Sequence, residues 1–376
     1  IPAIREHQGR QIDLAQLPPD DPKTYAMIRR ADTVGVFQIE SRAQMATLPR
    51  MKPRNFYDLV VEIAIIRPGP IVGQMVHPYL NRRAGREPVT YPHPALEPIL
   101  KRTLGVPIFQ EQLLRLAMAA SGFSGGEAEE LRRAMGMKRS VEKMNRIETR
   151  LREGMTARGI VGEAQEEVVR GITSFALYGF PESHSASFAL IAYASAYLRA
   201  HHPAAFLAGL LNAYPMGFYN PATLVKDAQR HGVEVRPIDV ATSHWKCTLE
   251  GSAEEPAVRI GLRYVAGLRA ETGHATEVER SRGGFESVAD LARRVALRRD
   301  ELDALAEVGA LASIDPAARQ RRSALWQVAA VERDRSSLFS GISPPAEPSP
   351  LEELSPVETT LADYRISGLT TGPHLL

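Results

Sequence analysis

The 376 residues contain one cysteine, Cys247, so neither an intrachain disulfide framework nor a thiolate zinc cluster can form. A reducing, cytoplasmic setting fits that usage. Apolar runs such as Phe188–Leu198 fall well short of the ~20 residues a membrane span needs, and the N-terminus has no leader pattern, so no membrane partner is expected. The net charge of +2 is too small to argue for nucleic acid by itself. No Asp-x-Asp occurs, although a two-metal nucleotidyl-transfer site needs acidic side chains that converge. Gly-x-x-x-x-Gly-Lys is missing as well. His93, His201 and His202 lack partners at ligand spacing and read as satisfied or surface histidines, while Asp20 and Asp21, beside prolines, read as a helix N-cap. No catalytic residue and no metal ligand is assigned to this chain.

What is present is globular. With 44% hydrophobic and 24% charged residues the chain folds, and at 376 residues it is too long for one core, so two or three modules are expected. From Asp20 to Ala120 short amphipathic helices alternate with Pro-rich joints at 68–70, Pro92 with Pro94, and Pro98 with Pro107. Between Gly126 and Tyr214 the helical signal is strongest and predicts three or four consecutive helices. Alternating runs at 233–237, 245–249 and 258–262 predict a small antiparallel sheet. Helices then resume at about 265–281, 287–295, 299–308 and 317–332, and a Pro/Ser-rich stretch, Gly341 to Pro356, reads as linker. The fold class is mainly α. Because the sequence opens on Ile1, a piece of something longer is expected.

Several places suit phosphate. Ser183-His184-Ser185 opens a helix, where hydroxyls, an imidazole and free amides meet a positive helix end; simple capping by Ser183 or Ser185 is equally compatible. Arg132 and Arg133 precede a Gly136 bend and Lys138 follows it, a pattern that can clamp a triphosphate or a nucleic-acid backbone. The bland reading of the basic run from Arg132 to Arg158 is a solvated face with pairs such as Glu148 with Arg152. Arg67 stands on the stiff Pro68-Gly69-Pro70 joint, or caps the preceding helix, whose run from Val60 to Ile66 must be core. Val265-Ala266-Gly267-Leu268 and Val308-Gly309-Ala310-Leu311 read as a tandem helix-hairpin-helix module whose amides approach DNA phosphates, or as a structural helical pair. Leu338-Phe339 is a short apolar peptide of the kind that docks in a partner's groove.

Together, Gly35-Val36-Phe37-Gln38-Ile39-Glu40-Ser41, Arg67-Pro68-Gly69-Pro70, Phe109-Gln110-Glu111-Gln112, Leu131 to Lys138, and Tyr178-Gly179-Phe180 through Ser183-His184-Ser185-Ala186 resemble the fingers of the bacterial C-family DNA polymerases, the family of the polymerase III alpha subunit. The strings 214–219, 231–237 and 261–265 are closer to its error-prone branch. The resemblance implies helical fingers at 1–232, a small β element at 233–262, a helix-hairpin-helix module at 263–335 and a linker at 336–376 towards an OB-type domain. It implies that Arg67, Arg132, Arg133, Lys138, Ser183, His184 and Ser185 hold the incoming dNTP. Ala266, Gly267, Leu268, Gly309 and Ala310 then meet DNA, and Leu338 and Phe339 sit where family members can carry a sliding-clamp motif. Mg2+ is the family's cofactor, with ligands expected on a palm upstream of Ile1. The implied partners are primed template DNA, dNTP, the clamp and mutagenesis accessory proteins. Two rival readings stay open: a stand-alone helix-hairpin-helix DNA-binding module, and a clamp-interacting scaffold without nucleotide chemistry.

Overall fold

The structure, a computed structural model, describes residues 1–66, 72–136, 141–175, 180–335 and 349–373, among which lie 18 helices and one three-stranded sheet. The chain folds into two compact units. One joins residues 1–16, with α1 (Pro2–Gln8), to residues 201–376; the other is 17–200.

The 17–200 unit begins with α2 (Pro22–Arg29), α3 (Arg42–Met51), α4 (Phe56–Ile65) and α5 (Val72–Arg83). It continues through α6 (Glu97–Leu100), α7 (Gln110–Ser121), α8 (Gly125–Gly136), α9 (Val141–Ala157), α10 (Glu163–Phe175) and α11 (Glu182–His201). Local chemistry sets the starts. The Asp21 carboxylate accepts the Thr24 amide at 2.8 Å with Pro22 behind it, and Asn55 accepts the Asp58 amide at 3.0 Å. The α4 run from Leu59 to Ile65 is buried throughout, as its composition requires. Ala189, Ala192, Tyr193 and Ala196 recur at helical spacing on α11, and the three alanines let it lie close in the same apolar cluster as α2 and α4. A second cluster is built from α6 to α10. The Phe109-Gln110-Glu111-Gln112 string ties the clusters together: Phe109 is buried in the first, Gln112 accepts the Ile108 and Phe109 amides, and its amide donates to Thr103 at 2.8 Å.

In the other unit lie α12 (Pro203–Ala213), α13 (Pro221–Arg230), α14 (Ala270–Arg282), α15 (Val288–Arg294), α16 (Arg299–Glu307), α17 (Arg321–Arg335) and α18 (Pro356–Ser367). The strands are β1 (Val235–Arg236), β2 (Thr248–Gly251) and β3 (Pro256–Arg259), in the order β1-β3-β2. The sheet is mixed rather than antiparallel. β2 and β3 form the expected hairpin, but β1 pairs parallel to β3, Val235 opposite Val258, because residues 237–247 carry the chain back across before β2 begins. Glu250 accepts both Arg236, at 3.0 Å, and Arg259, at 2.9 Å, which locks the three strands.

Two other expectations shift. Between Gly126 and Tyr214 there are five helices, α8 to α12, since the joint at His202 is a single residue with Pro203 opening the next helix and leaves little mark in composition. Within the stretch expected as linker, residues 356–367 form α18, with a Ser355–Glu358 capping box and Gly368 in the left-handed region at its end.

Candidate functional site

The start of α11 is held by two backbone links to α7. The Gln110 amide donates to the Phe180 carbonyl at 3.1 Å, and the Glu182 amide donates to the Glu111 carboxylate at 2.9 Å. Ser185 is fully buried and its hydroxyl donates to the Val60 carbonyl at 2.5 Å, so it anchors the helix and faces no ligand. That separates it from Ser183 and His184, which stay exposed and whose amides make no hydrogen bond among the described residues. Two free amides at a positive helix end with one imidazole are what remains for an anion.

His184 stands in a run of aromatic rings. Its centroid is 5.2 Å from Phe180 and 4.2 Å from Phe188, and Phe188 meets Phe37 edge-on at 5.4 Å. Phe37 is carried by the Gly35–Ser41 string, which is pinned from inside. Thr33 donates to the Ile39 carbonyl at 2.7 Å, the Gly35 amide reaches Glu40 at 3.1 Å, and the Phe37 amide donates to Ser195 on α11 at 3.1 Å. Arg199 on α11 donates to the Asp32 and Val34 carbonyls. Burial raises the Glu40 carboxyl, against the opposing pull of the Gly35 amide. Two strings that are far apart in sequence thus serve one surface.

Beside Glu182, a cleft of about 450 Å³ is lined by Asp20, Asn55, Phe56, Tyr57, Arg102 and Glu182. The Arg102 guanidinium covers the Tyr57 ring at 3.7 Å, and the Tyr57 hydroxyl donates to Glu182 at 3.3 Å. Burial first, and then the Glu182 charge, push the Tyr57 hydroxyl above its ordinary range. Neither Tyr57 nor Arg102 carries a motif, and Phe37, Phe188 and Glu111 carry no signal of their own in the sequence; their roles depend on contacts between residues far apart in the chain.

Arg132 and Arg133 both turn to Glu129 on their own helix, at 2.7 and 3.3 Å, and the Arg132 hydrogen bonds hold the Glu129 carboxyl down to about 2. They are exposed and paired, and no hydrogen bond or ion pair among the described residues joins them to Ser183 or His184. Arg152 also takes up its expected partner, Glu148, at 2.8 Å. Arg67, Lys138, Leu338 and Phe339 lie outside the described residues.

In the other unit the two hairpins differ. Gly309, at φ 79°, closes α16: its amide donates to Ala306 and that of Ala310 to Leu305, the double cap of a Schellman turn. Neither amide is left for a phosphate. In the first hairpin the Ala266 amide donates to Ile366 at 2.9 Å and the Leu268 amide to Val265 at 3.2 Å. Gly267, at φ 81°, makes no amide hydrogen bond among the described residues and has open space around it. Of the five hairpin positions, only Gly267 can offer a backbone donor. Glu301, buried on α16, accepts the Arg269 amide and guanidinium and the Arg298 amide, and so fixes the start of α14 to the start of α16. Burial would raise its carboxyl, but these donors hold it at about 2.

Within neither unit do three metal-ligating atoms converge among the described residues. No described helix is long and apolar enough to cross a membrane.

The finger domain of the bacterial DNA polymerase III alpha subunit matches residues 1–159, and a helix-hairpin-helix motif matches residues 232–324. An error-prone DNA polymerase from Anaeromyxobacter dehalogenans (strain 2CP-C) is 53% identical over 96% of this chain. The chain belongs to the bacterial C-family DNA polymerases, the family of the polymerase III alpha subunit. Error-prone DNA polymerases from Methylococcus capsulatus and Bordetella bronchiseptica, 49% and 52% identical, each align with 99% of it. The matched region is 32–37% of these three relatives, so the chain spans about a third of their length. As a C-family member, the chain carries its GVFQIES and FQEQ strings as the braces of the α11 surface, Phe37 and Glu111 among them.

Proposed function

We propose that this chain holds the incoming deoxynucleoside triphosphate and the primed template for a DNA-directed DNA polymerase of the error-prone, damage-tolerant type. The observation that carries the reading is the start of α11, where Ser183 and His184 keep free amides beside the aromatic run of Phe37, Phe188 and Phe180. The triphosphate meets the amides and the imidazole, and the rings give the base or sugar an apolar wall. Gly267 and the start of α14 grip the DNA backbone without reading bases. In the reaction the primer 3′-hydroxyl attacks the α-phosphate and pyrophosphate leaves. The catalytic carboxylates, with the Mg2+ they would bind, are assigned outside these 376 residues. Arg67 and Lys138 join the triphosphate contacts, and Leu338-Phe339 serves a sliding clamp, in a cytoplasmic enzyme that works with accessory proteins.

Titration of the chain with dNTP, with and without primed template, tests the nucleotide half of this reading. His184→Ala should weaken dNTP binding at least tenfold and leave DNA affinity within twofold; equal losses in both would refute the assignment. One observation favours the DNA-only rival, the commitment of Arg132 and Arg133 to Glu129. Under that reading DNA binding falls steeply with salt and dNTP has no effect.

A further inference from the structure

Phe218 is 76% exposed, more than any other large apolar side chain among the described residues. It stands on the loop between α12 and α13, and that loop is tied down. Arg263 donates to the Asn212 and Tyr214 carbonyls at 2.8 and 2.9 Å, and the Tyr264 hydroxyl donates to the Leu211 carbonyl at 2.7 Å. Asn212 exchanges two hydrogen bonds with the Cys247 backbone, each 2.8 Å. At the far side Gly217 turns the chain at φ 60°, and Asn220 caps α13 through the Thr223 amide. Among the described residues the Phe218 ring makes no aromatic contact. Arg263 and Tyr264 lie in the short turn that leads directly into the first hairpin, Tyr264 standing one residue before Val265 and three before Gly267. The same two side chains therefore anchor the Phe218 loop and the stem of the one hairpin with a free amide.

We propose that Phe218 is a stacking platform for an unpaired base of the DNA strand whose backbone the first hairpin holds. A flat apolar ring suits any base, which matches a hairpin that contacts phosphates and reads no sequence. A protein partner would need a wider apolar patch than one isolated ring. The helix end and loop that carry Phe218 are hydrogen-bonded to the two residues that lead into the hairpin, and that link selects nucleic acid. The inference rests on the reading that the hairpin grips DNA.

The 376-residue chain is tested by fluorescence anisotropy on two DNAs of equal length, a primed template with a single-stranded overhang and a fully paired duplex. Phe218→Ala should lose about 5- to 100-fold on the overhang DNA and less than twofold on the duplex. Phe218→Trp should restore overhang affinity, and its added indole emission, measured above that of Trp245 and Trp326, should be quenched by the overhang DNA alone. An unchanged affinity for Phe218→Ala, or an equal loss on both DNAs, overturns the proposal and leaves the ring to a protein contact or to the fold. Melting of both variants should match the parent, since the ring is exposed; if Phe218→Ala melts early, the Phe218→Trp quenching decides alone. A parent chain that binds neither DNA refutes the hairpin reading and this inference with it, whereas binding that ignores Phe218 refutes the inference only.

Discussion

Glu301→Gln should loosen the helix-hairpin-helix region by about 2–3 kcal/mol. The carboxylate accepts four hydrogen bonds, from the Arg269 amide at 3.0 Å, the Arg269 guanidinium at 2.8 and 2.9 Å and the Arg298 amide at 2.8 Å, and is 1% exposed. Removing one partner of a buried pair typically costs about 3–5 kcal/mol. The Arg269 side chain is 35% exposed, so water recovers part of that, and the lower figure follows. For a unit of this size the melting transition should fall by roughly 5–10 °C. Arg269→Ala and the double variant complete a cycle whose coupling should exceed about 1 kcal/mol. Because the folded carboxyl is held at about 2, below the ordinary value near 4.3, its contribution is present above pH ~4.3 and lost as pH falls toward 2. The gap between parent and Glu301→Gln should therefore close between pH 4.5 and 2.5. A melting point within 1 °C of the parent at pH 7, or a gap that widens in acid, would refute the reasoning.

Ser185→Ala should destabilise the 17–200 unit by about 1–2 kcal/mol, since it strips a buried hydrogen bond to Val60, while Ser183→Ala leaves melting unchanged; the reverse pattern would return Ser185 to the surface. At Gly273 a Cβ would meet the Trp245 ring at 2.4 Å, so Gly273→Ala should lower stability by about 1–3 kcal/mol in thermal melting despite the gain in helix propensity, and stabilisation would contradict the packing. Glu62 is fully buried, neither carboxylate oxygen has a hydrogen-bond partner among the described residues, and burial pushes its carboxyl up to about 8. It stays protonated when folded and ionises when unfolded, which erodes stability as pH rises from about 4.3 to 8 by up to about 1.4 kcal/mol per unit. Glu62→Gln should thus gain on the parent in melting experiments run from pH 5 to 8; a constant offset would place the carboxyl elsewhere.

Element types were legible where one helix carries its own signal, as in the buried α4 run or the Asp21 cap. The pairing of β1 was not, because register depends on where 237–247 leads the chain, which its composition does not state. At Ser183-His184-Ser185 the three letters look alike as an anion site, yet helical spacing turns the third side chain inward onto Val60. The hairpin glycines were found by sequence, but which amides stay free depends on α18 supplying Ile366 and on the Schellman cap of α16. Phe37 and Phe188 are 151 residues apart, and only the folding of the GVFQIES loop onto α11 makes them neighbours.

The most direct test of the central claim is equilibrium binding of labelled dNTP to this chain in the presence of primed template, parent beside His184→Ala. The account predicts saturable, template-dependent binding that the substitution weakens at least tenfold. Tight, salt-sensitive DNA binding with no dNTP signal in either protein would contradict it and leave the chain as a DNA grip alone.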